Sequence, residues 1–348
     1  MKVQVNAKNR GHQFEAQEAV PVLFSGLAHG VDLPYECGSG TCGTCKAKLV
    51  KGELLDAWPQ APGRKYLKHP DEFLMCQCSP KTDLVVEVGT FVHPTDPAVC
   101  GPGQASGRIS HVKMLTHDVM LLDVDLDRPL PFDAGQYALI QVPGIPGFRG
   151  WSMVNFDAQP KQWRFVVKKK PQGAVSEWLF DDKSPVNGSK VDIFGPLGHA
   201  TFHPSVARNL LCIAGGSGIA GMVSIISRAV QASYFNEFDG DVFFGVRSMR
   251  DAFFLEEFSV LKRTAGSRLR VTMAFSDEDV SADFTQAHPD IQFDRGFVHE
   301  VAKRHMQGRF DNVRAYIAGP PPAVDQSIRF LLLEARVPAD QIKYDKFS

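Results

Sequence analysis

The chain has 348 residues, 44% of them apolar and 22% charged, with a formal net charge of −1. That length suggests two or three domains and the composition a folded soluble protein, while the charge gives no electrostatic case for binding nucleic acid or a membrane. The N-terminus, MKVQVNAKNRGHQFEA, lacks a basic-then-apolar signal segment and no apolar run reaches spanning length, so a cytoplasmic protein is expected, where disulfides are rare.

Residues 1–93 open with KVQVNA and GHQFEAQ, which alternate as a hairpin does. VPVLFSGLAHG then reads as a short amphipathic helix ending at Gly30, and CKAKLVKG and DLVVEVG read as strands. Between them stands Cys37-x4-Cys42-x2-Cys45, with Cys76 further on, so four of the seven cysteines cluster. An odd, clustered set favours a metal over a disulfide framework. Zinc would predict paired C-x2-C knuckles, whereas C-x4-C-x2-C with a distant fourth cysteine is the plant-type [2Fe–2S] spacing. Cluster sulfurs need backbone N–H groups turned towards them, and Gly38, Gly40 and Gly43 permit the angles this takes. MCQCSP offers both Cys76 and Cys78 as the fourth ligand. Cys78, Cys100 and Cys212 otherwise read as ordinary small thiols.

HPTDPAVCGPGQASG reads as a linker over 94–106. From 107 to 205 short strands separated by turn signals predict a small antiparallel barrel. Within it FRGWSMVN carries Arg149, Gly150, Trp151 and Ser152, and alternation puts Arg149 and Trp151 on one strand face. A fixed cation, an aromatic face and a hydroxyl are what a flavin requires of its site. PQGAVSEWLF follows, where Gly173, Val175 and Ser176 open a helix suited to a pyrophosphate. Val167 and Lys168 end the strand before it, and Lys168-Lys169-Lys170 adds positive charge beside that phosphate site.

From 206 to 348 the chain alternates apolar strands with helical stretches, the pattern of a doubly wound parallel sheet. LLCIAGGSGIAGM runs from a strand into Gly215, Gly216, Ser217 and Gly218, then a helix, without the G-x-G-x-x-G fingerprint. FFGVRS contains Arg247, and YIAGPPPAVD ends a strand at Gly319 and Pro320.

These motifs carry a resemblance. Residues 1–93 resemble a plant-type ferredoxin, which implies a β-grasp fold and, from LMCQ, selects Cys76 as fourth ligand beside Cys37, Cys42 and Cys45. Tyr137 in GQY, then Arg149/Trp151/Ser152 and Gly173/Val175/Ser176, resemble the ferredoxin–NADP⁺ reductase superfamily, with Trp151 where Tyr is usual, and imply FAD. The AGGSGIAG turn resembles that superfamily's nicotinamide-nucleotide turn, FFGVRS its adenosine-ribose segment and AGPP its nicotinamide edge, with Ala318 in place of the usual cysteine. Ser152 is thereby expected beside flavin N5, and Phe347, near the C-terminus, over the flavin ring. Asp251 beside Arg247 favours NADH over NADPH.

In order along the chain, the motifs resemble the reductase components of bacterial multicomponent oxygenases. KGELLDAWPQAPG, through Trp58 and Pro59, resembles those of soluble di-iron, toluene-type monooxygenases. The resemblance implies a monomer that passes electrons from NADH through FAD and [2Fe–2S] to an oxygenase or hydroxylase component. It leaves the eleven histidines without a catalytic task. A Rieske ferredoxin or dioxygenase is the alternative partner; a zinc-binding interaction module on an inactive reductase fold is the alternative of a different class. The linker predicts separable halves, with a fragment from Gly107 that binds FAD alone.

Overall fold

The computed structural model describes residues 1–96, 99–157 and 160–346. In the first domain β1 (Lys2–Ala7) and β2 (Gly11–Glu15) form the hairpin, followed by α1 (Val22–Ala28), β3 (Lys46–Lys51), β4 (Leu54–Asp56), β5 (Glu72–Leu74), β6 (Cys78–Pro80) and β7 (Leu84–Val88). Five strands make one sheet in the order β2-β1-β7-β3-β5, parallel only between β1 and β7, while β4 and β6 pair separately. Alternation drives the arrangement: Val3 and Val5 are buried between solvent-facing neighbours and pack with Leu23, Phe24 and Leu27 of α1. The sheet grips the helix, as in a β-grasp.

The second domain is an antiparallel barrel built from β8 (Gly103–Met114), β9 (Val119–Leu126), β10 (Tyr137–Gln141), β11 (Arg149–Ser152), β12 (Gln162–Lys168) and β13 (Lys190–Leu197), with α2 (Ala174–Phe180) before the last strand. Its order is β11-β10-β13-β8-β9-β12, and a bridge from Met153 to Phe165 closes the circle.

The third domain places β14 (Asn209–Gly215), α3 (Ile219–Gln231), β15 (Gly240–Val246), α4 (Leu255–Ala265), β16 (Leu269–Phe275), α5 (Ala282–Ala287), β17 (Gln292–Arg295), α6 (Val298–Met306), β18 (Val313–Gly319), α7 (Pro321–Leu333) and β19 (Ile342–Lys346) in chain order. All six strands run parallel, ordered β17-β16-β15-β14-β18-β19. Apolar runs such as NLLCIAG in β14 follow from burial on both faces: Leu210, Cys212 and Ala214 enter one core, Leu211 and Ile213 the other. Strand order reverses between β14 and β18, the crevice where such sheets bind ligands.

The barrel holds the other two domains. Val119, Leu121 and Val166 belong to a core shared with the third domain, whereas Tyr137, Leu139, Phe194 and Leu197 belong to one shared with the first. Phe24 of α1 stacks on Phe194 of β13 at 4.1 Å between ring centres and 7° between planes.

The stretch read as a free linker is tied at both ends. Asp32 N donates to His93 O at 2.9 Å, Thr95 N to Gly30 O at 2.8 Å, and Cys100 N to Asp133 at 2.9 Å. β8 starts at Gly103, inside that stretch, and Gly103–Ser106 pair with β13. A fragment from Gly107 therefore lacks the first third of a barrel strand and exposes the shared core, which removes the basis for expecting separable halves. Phe24→Ala is expected to destabilise the chain by about 3–5 kcal/mol, measured by denaturant unfolding. A loss below about 1 kcal/mol would show that the stack does not hold the domains.

Candidate cluster, flavin and nucleotide sites

The loop after α1 gathers four sulfurs. Cys45 Sγ and Cys76 Sγ lie 3.2 Å apart, and the Cys37 and Cys42 thiols are hydrogen-bonded to each other. The backbone N–H groups of Ser39, Thr41 and Cys42 all donate to Cys37 Sγ at 3.4 Å, and Thr44 N to Cys42 Sγ at 3.5 Å. Gln77 Nε2 donates to Cys76 Sγ at 3.3 Å. Gly40 has φ +82, and a Cβ there would stand 3.0 Å from the Gln77 amide, so only glycine fits. The Cys42 thiol, then the Thr41 side chain and the N–H donors, pull Cys37 down against the opposing effect of burial, while the same pairing pushes Cys42 up. A donor set that stabilises negative sulfur is what an iron–sulfur cluster needs of its ligands.

Among the described residues no hydrogen bond joins Cys78 to these four. It pairs with Asp56 across β4 and β6, and burial, then Asp56, push its thiol up to about 12. The structure thus brings Cys76, not Cys78, to the other three cysteines.

Next to the loop lies a cavity of about 530 Å³. The barrel contributes Tyr137, Arg149, Gly150, Trp151, Val167 and Lys168, and the α2 turn contributes Gly173, Val175 and Ser176. The Arg149 guanidinium is half-buried, forms no ion pair with a described residue, and lies 5.1 Å over the ring of Trp58. A cation so placed, in a largely apolar cavity, fits a diphosphate-bearing flavin.

Two expected flavin residues are placed otherwise. Trp151 reaches the cavity but is only 8% exposed and packs edge-on to Phe165, so most of its ring belongs to the barrel core. Ser152 does not line the cavity: it is 7% exposed and stands against Gly221 of α3, where an added Cβ would lie 3.7 Å from its own. The register pairs it with Tyr137 at the strand end that meets the third domain. Phe347 lies outside the described residues.

A second cleft, of about 430 Å³, follows the carboxyl edge of the parallel sheet. Gly215, Gly216, Ser217 and Gly218 form its floor, with Gly319 and Pro320 on one side and Arg247 on the other. A Cβ on Gly218 would stand 2.7 Å from the Ala318–Gly319 backbone, so the close approach of the two strand ends requires glycine. Arg247 faces Asp251 at 3.6 Å and Asp118 at 3.8 Å, which leaves little free positive charge for a 2′-phosphate. Lys168 lines both cavities and pairs with Asp118 at 2.9 Å.

Sequence reasoning missed the far wall of the flavin cavity. Tyr35, Glu36 and Cys37 come from the first domain, and Asp345 from β19. Gly198 N donates to Tyr35 Oη at 3.1 Å, and Tyr137 Oη donates to Glu36 O. Burial, and after it Glu36, push the Asp345 carboxyl up to about 7. No local motif marks these residues, because they meet only when the domains dock.

Two outcomes follow. Cys76→Ser is expected to lose most iron and sulfide, whereas Cys78→Ser keeps them; iron lost only in the Cys78 variant would reverse the assignment. An unfolded aspartate titrates near pH 4. Between there and about 7 the folded chain holds a proton at Asp345 that the unfolded chain lacks, so stability falls as pH rises through that window. Asp345→Asn is expected to raise the melting temperature more at about pH 8 than at about pH 4; an equal shift at both would overturn this.

Comparison with known proteins matches residues 5–81 to a 2Fe-2S iron-sulfur cluster binding domain, 106–202 to an oxidoreductase FAD-binding domain and 212–328 to an oxidoreductase NAD-binding domain. The chain is 33% identical over 334 residues to ferredoxin–NAD(P)⁺ reductase CarAd of Metapseudomonas resinovorans, covering 94% of each. It is 30% identical to the ferredoxin–NAD⁺ reductase component of the alkene monooxygenase system of Xanthobacter autotrophicus, covering 97% of this chain and 99% of that one. The solved ferredoxin reductase in carbazole 1,9a-dioxygenase aligns with a TM-score of 0.82 at 31% identity, over 100% of this chain and 99% of the other. The chain therefore belongs to the three-domain ferredoxin–NAD(P)⁺ reductases, oxidoreductase flavoproteins with a [2Fe–2S] domain, an FAD-binding barrel and an NAD-binding sheet.

Proposed function

We propose that this chain takes electrons from NADH and passes them through FAD and a [2Fe–2S] cluster to the terminal component of a multicomponent monooxygenase that hydroxylates aromatic or other hydrocarbons. The observation that carries the proposal is a shared wall: the cavity suited to flavin contains Cys37 of the cluster loop together with Tyr137 and Arg149 of the barrel. When bound, FAD accepts a hydride and the cluster carries single electrons. The protein contributes position and charge. Units at 1–93, 107–205 and 206–348 would serve the three cofactors, with Cys37, Cys42, Cys45 and Cys76 as ligands.

Arg149 and the 173–176 turn would hold the flavin, and Gly215–Gly218 with Gly319 and Pro320 would hold the nicotinamide nucleotide. Lys168, common to both cavities, marks where the two would meet. Pairing of Arg247 with Asp118 and Asp251 supports NADH as the donor. Likeness to an alkene monooxygenase reductase over nearly the whole chain, with the Trp58–Pro59 segment, supports a monooxygenase partner. The fold match to a carbazole dioxygenase reductase favours a second reading, in which a Rieske component accepts the electrons. A monomer working in the cytoplasm completes this reading; separately, among the described residues no helix is long and apolar enough to cross a membrane.

The loaded protein is expected to be brown, with flavin and cluster absorbance beyond 500 nm; a zinc-loaded first domain would add none. Cys76→Ser is expected to keep NADH-driven ferricyanide reduction while losing cytochrome c reduction by tenfold or more. Undiminished cytochrome c reduction without the cluster would refute the route through it.

A further inference from the structure

Beside the cluster loop lies a short basic and aromatic segment that the electron route does not itself explain. The turn Pro62–Tyr66 is clamped to the loop, with Gly63 N donating to Gly40 O at 2.8 Å. Tyr66 lies against Gly43, where an added Cβ would stand 2.6 Å from its ring, yet 47% of Tyr66 is exposed. Lys65 Nζ sits 5.1 Å over that ring. Cys42, the residue before Gly43, is half-buried and does not line the flavin cavity, whereas Thr44 after it does.

Charge balance separates the cations of this region into two groups. Arg64 is paired with Asp56, Lys46 with Glu72 at 3.1 Å and Lys48 with Asp71 at 3.4 Å. Among the described residues the ammonium groups of Lys65 and Lys68, both exposed, form no ion pair; the Glu72 carboxylate, which accepts from the Lys68 backbone N–H at 2.5 Å, is paired with Lys46 instead. Glu36, whose negative carboxylate accepts from Thr44 Oγ1 at 3.1 Å, lines the flavin cavity, and its backbone carbonyl accepts from Tyr137 of the barrel. A chain whose net charge is −1 thus presents unpaired positive charge beside its half-exposed sulfur. An exposed Tyr is the side-chain type that dominates binding at interface centres, and unpaired charges at a rim set association rate and partner choice.

We infer that the electron acceptor docks here through an acidic surface, with Tyr66 at the centre and Lys65 and Lys68 at the rim. The inference rests on the reading that electrons leave through the cluster. Two proteins of opposite charge serve as probes: acidic cytochrome b5 and basic cytochrome c.

With the intact protein at low salt, cytochrome b5 reduction is expected to slow as salt rises and cytochrome c reduction to quicken. Lys65→Glu/Lys68→Glu is expected to slow cytochrome b5 and speed cytochrome c by about tenfold each, the scale of electrostatic steering. Flavin reduction by NADH and cluster absorbance should stay unchanged. In NMR titrations, oxidised cytochrome b5 is expected to bind the parent and not the variant. Salt slopes and binding unaffected by the double reversal would overturn the docking surface while leaving the electron route standing. If both cytochromes are still reduced at full rate by the cluster-free Cys76→Ser protein, the route itself fails and this inference with it.

Discussion

Tyr137 donates its hydroxyl hydrogen to the carbonyl of Glu36, one residue before the first cluster cysteine, and does so across a domain boundary. Around that bond Leu139, Phe194 and Leu197 of the barrel share an apolar core with Phe24 and its neighbours. Leu139 comes so near Gly38 that a Cβ there would stand 2.9 Å away. A bare hydrogen bond between two domains contributes about 1 kcal/mol; embedded in a stacked, dry interface it fixes orientation as well. The sulfur-bearing loop is therefore a wall of the flavin cavity rather than the tip of a tethered domain, and the other distances along the electron route depend on this.

On the opposite side of the barrel the constraint is topological. A parallel sheet whose strand order reverses between β14 and β18 leaves a crevice at its carboxyl edge. The glycines at both strand ends let the backbones approach, and the barrel's last residue before the α2 turn region, Lys168, reaches over both cavities. Asp118, paired with Lys168 and Arg247, joins the two domains electrostatically beside the residue common to both cavities. The barrel thus brings one carrier to each face.

What was legible in the sequence depended on locality. The C-x4-C-x2-C spacing fits one small set of geometries, and apolar strands before glycine turns announce a nucleotide-binding edge. β17, QFDR, gave no apolar signal because it is a short edge strand with half its side chains solvated. Strand alternation correctly placed Arg149 and Trp151 together, but it could not show that Trp151 would be claimed by Phe165 and the barrel core. Nor could it show that Ser152 would meet α3 rather than the cavity. A stretch rich in Pro and Gly looked free because composition records stiffness and not partners; hydrogen bonds of its backbone at His93, Thr95 and Cys100 with Asp32 N, Gly30 O and the Asp133 carboxylate tie it down.

By itself the sequence determined the cofactor set and the order of the three domains, because each is written in contiguous residues whose spacing is set by covalent geometry. It also offered two neighbours as the fourth cysteine, between which the ferredoxin resemblance of LMCQ selected Cys76. The tertiary structure adds the geometry: Cys76 Sγ lies against Cys45 Sγ, while Cys78 stands opposite Asp56 across β4 and β6. Only it composed the flavin cavity from Tyr35, Glu36, Tyr137 and Asp345, which stand more than 300 residues apart at the extremes of the chain. Such a wall has no sequence signature, because it arises from burial of apolar surface between domains, a force without direction along the chain.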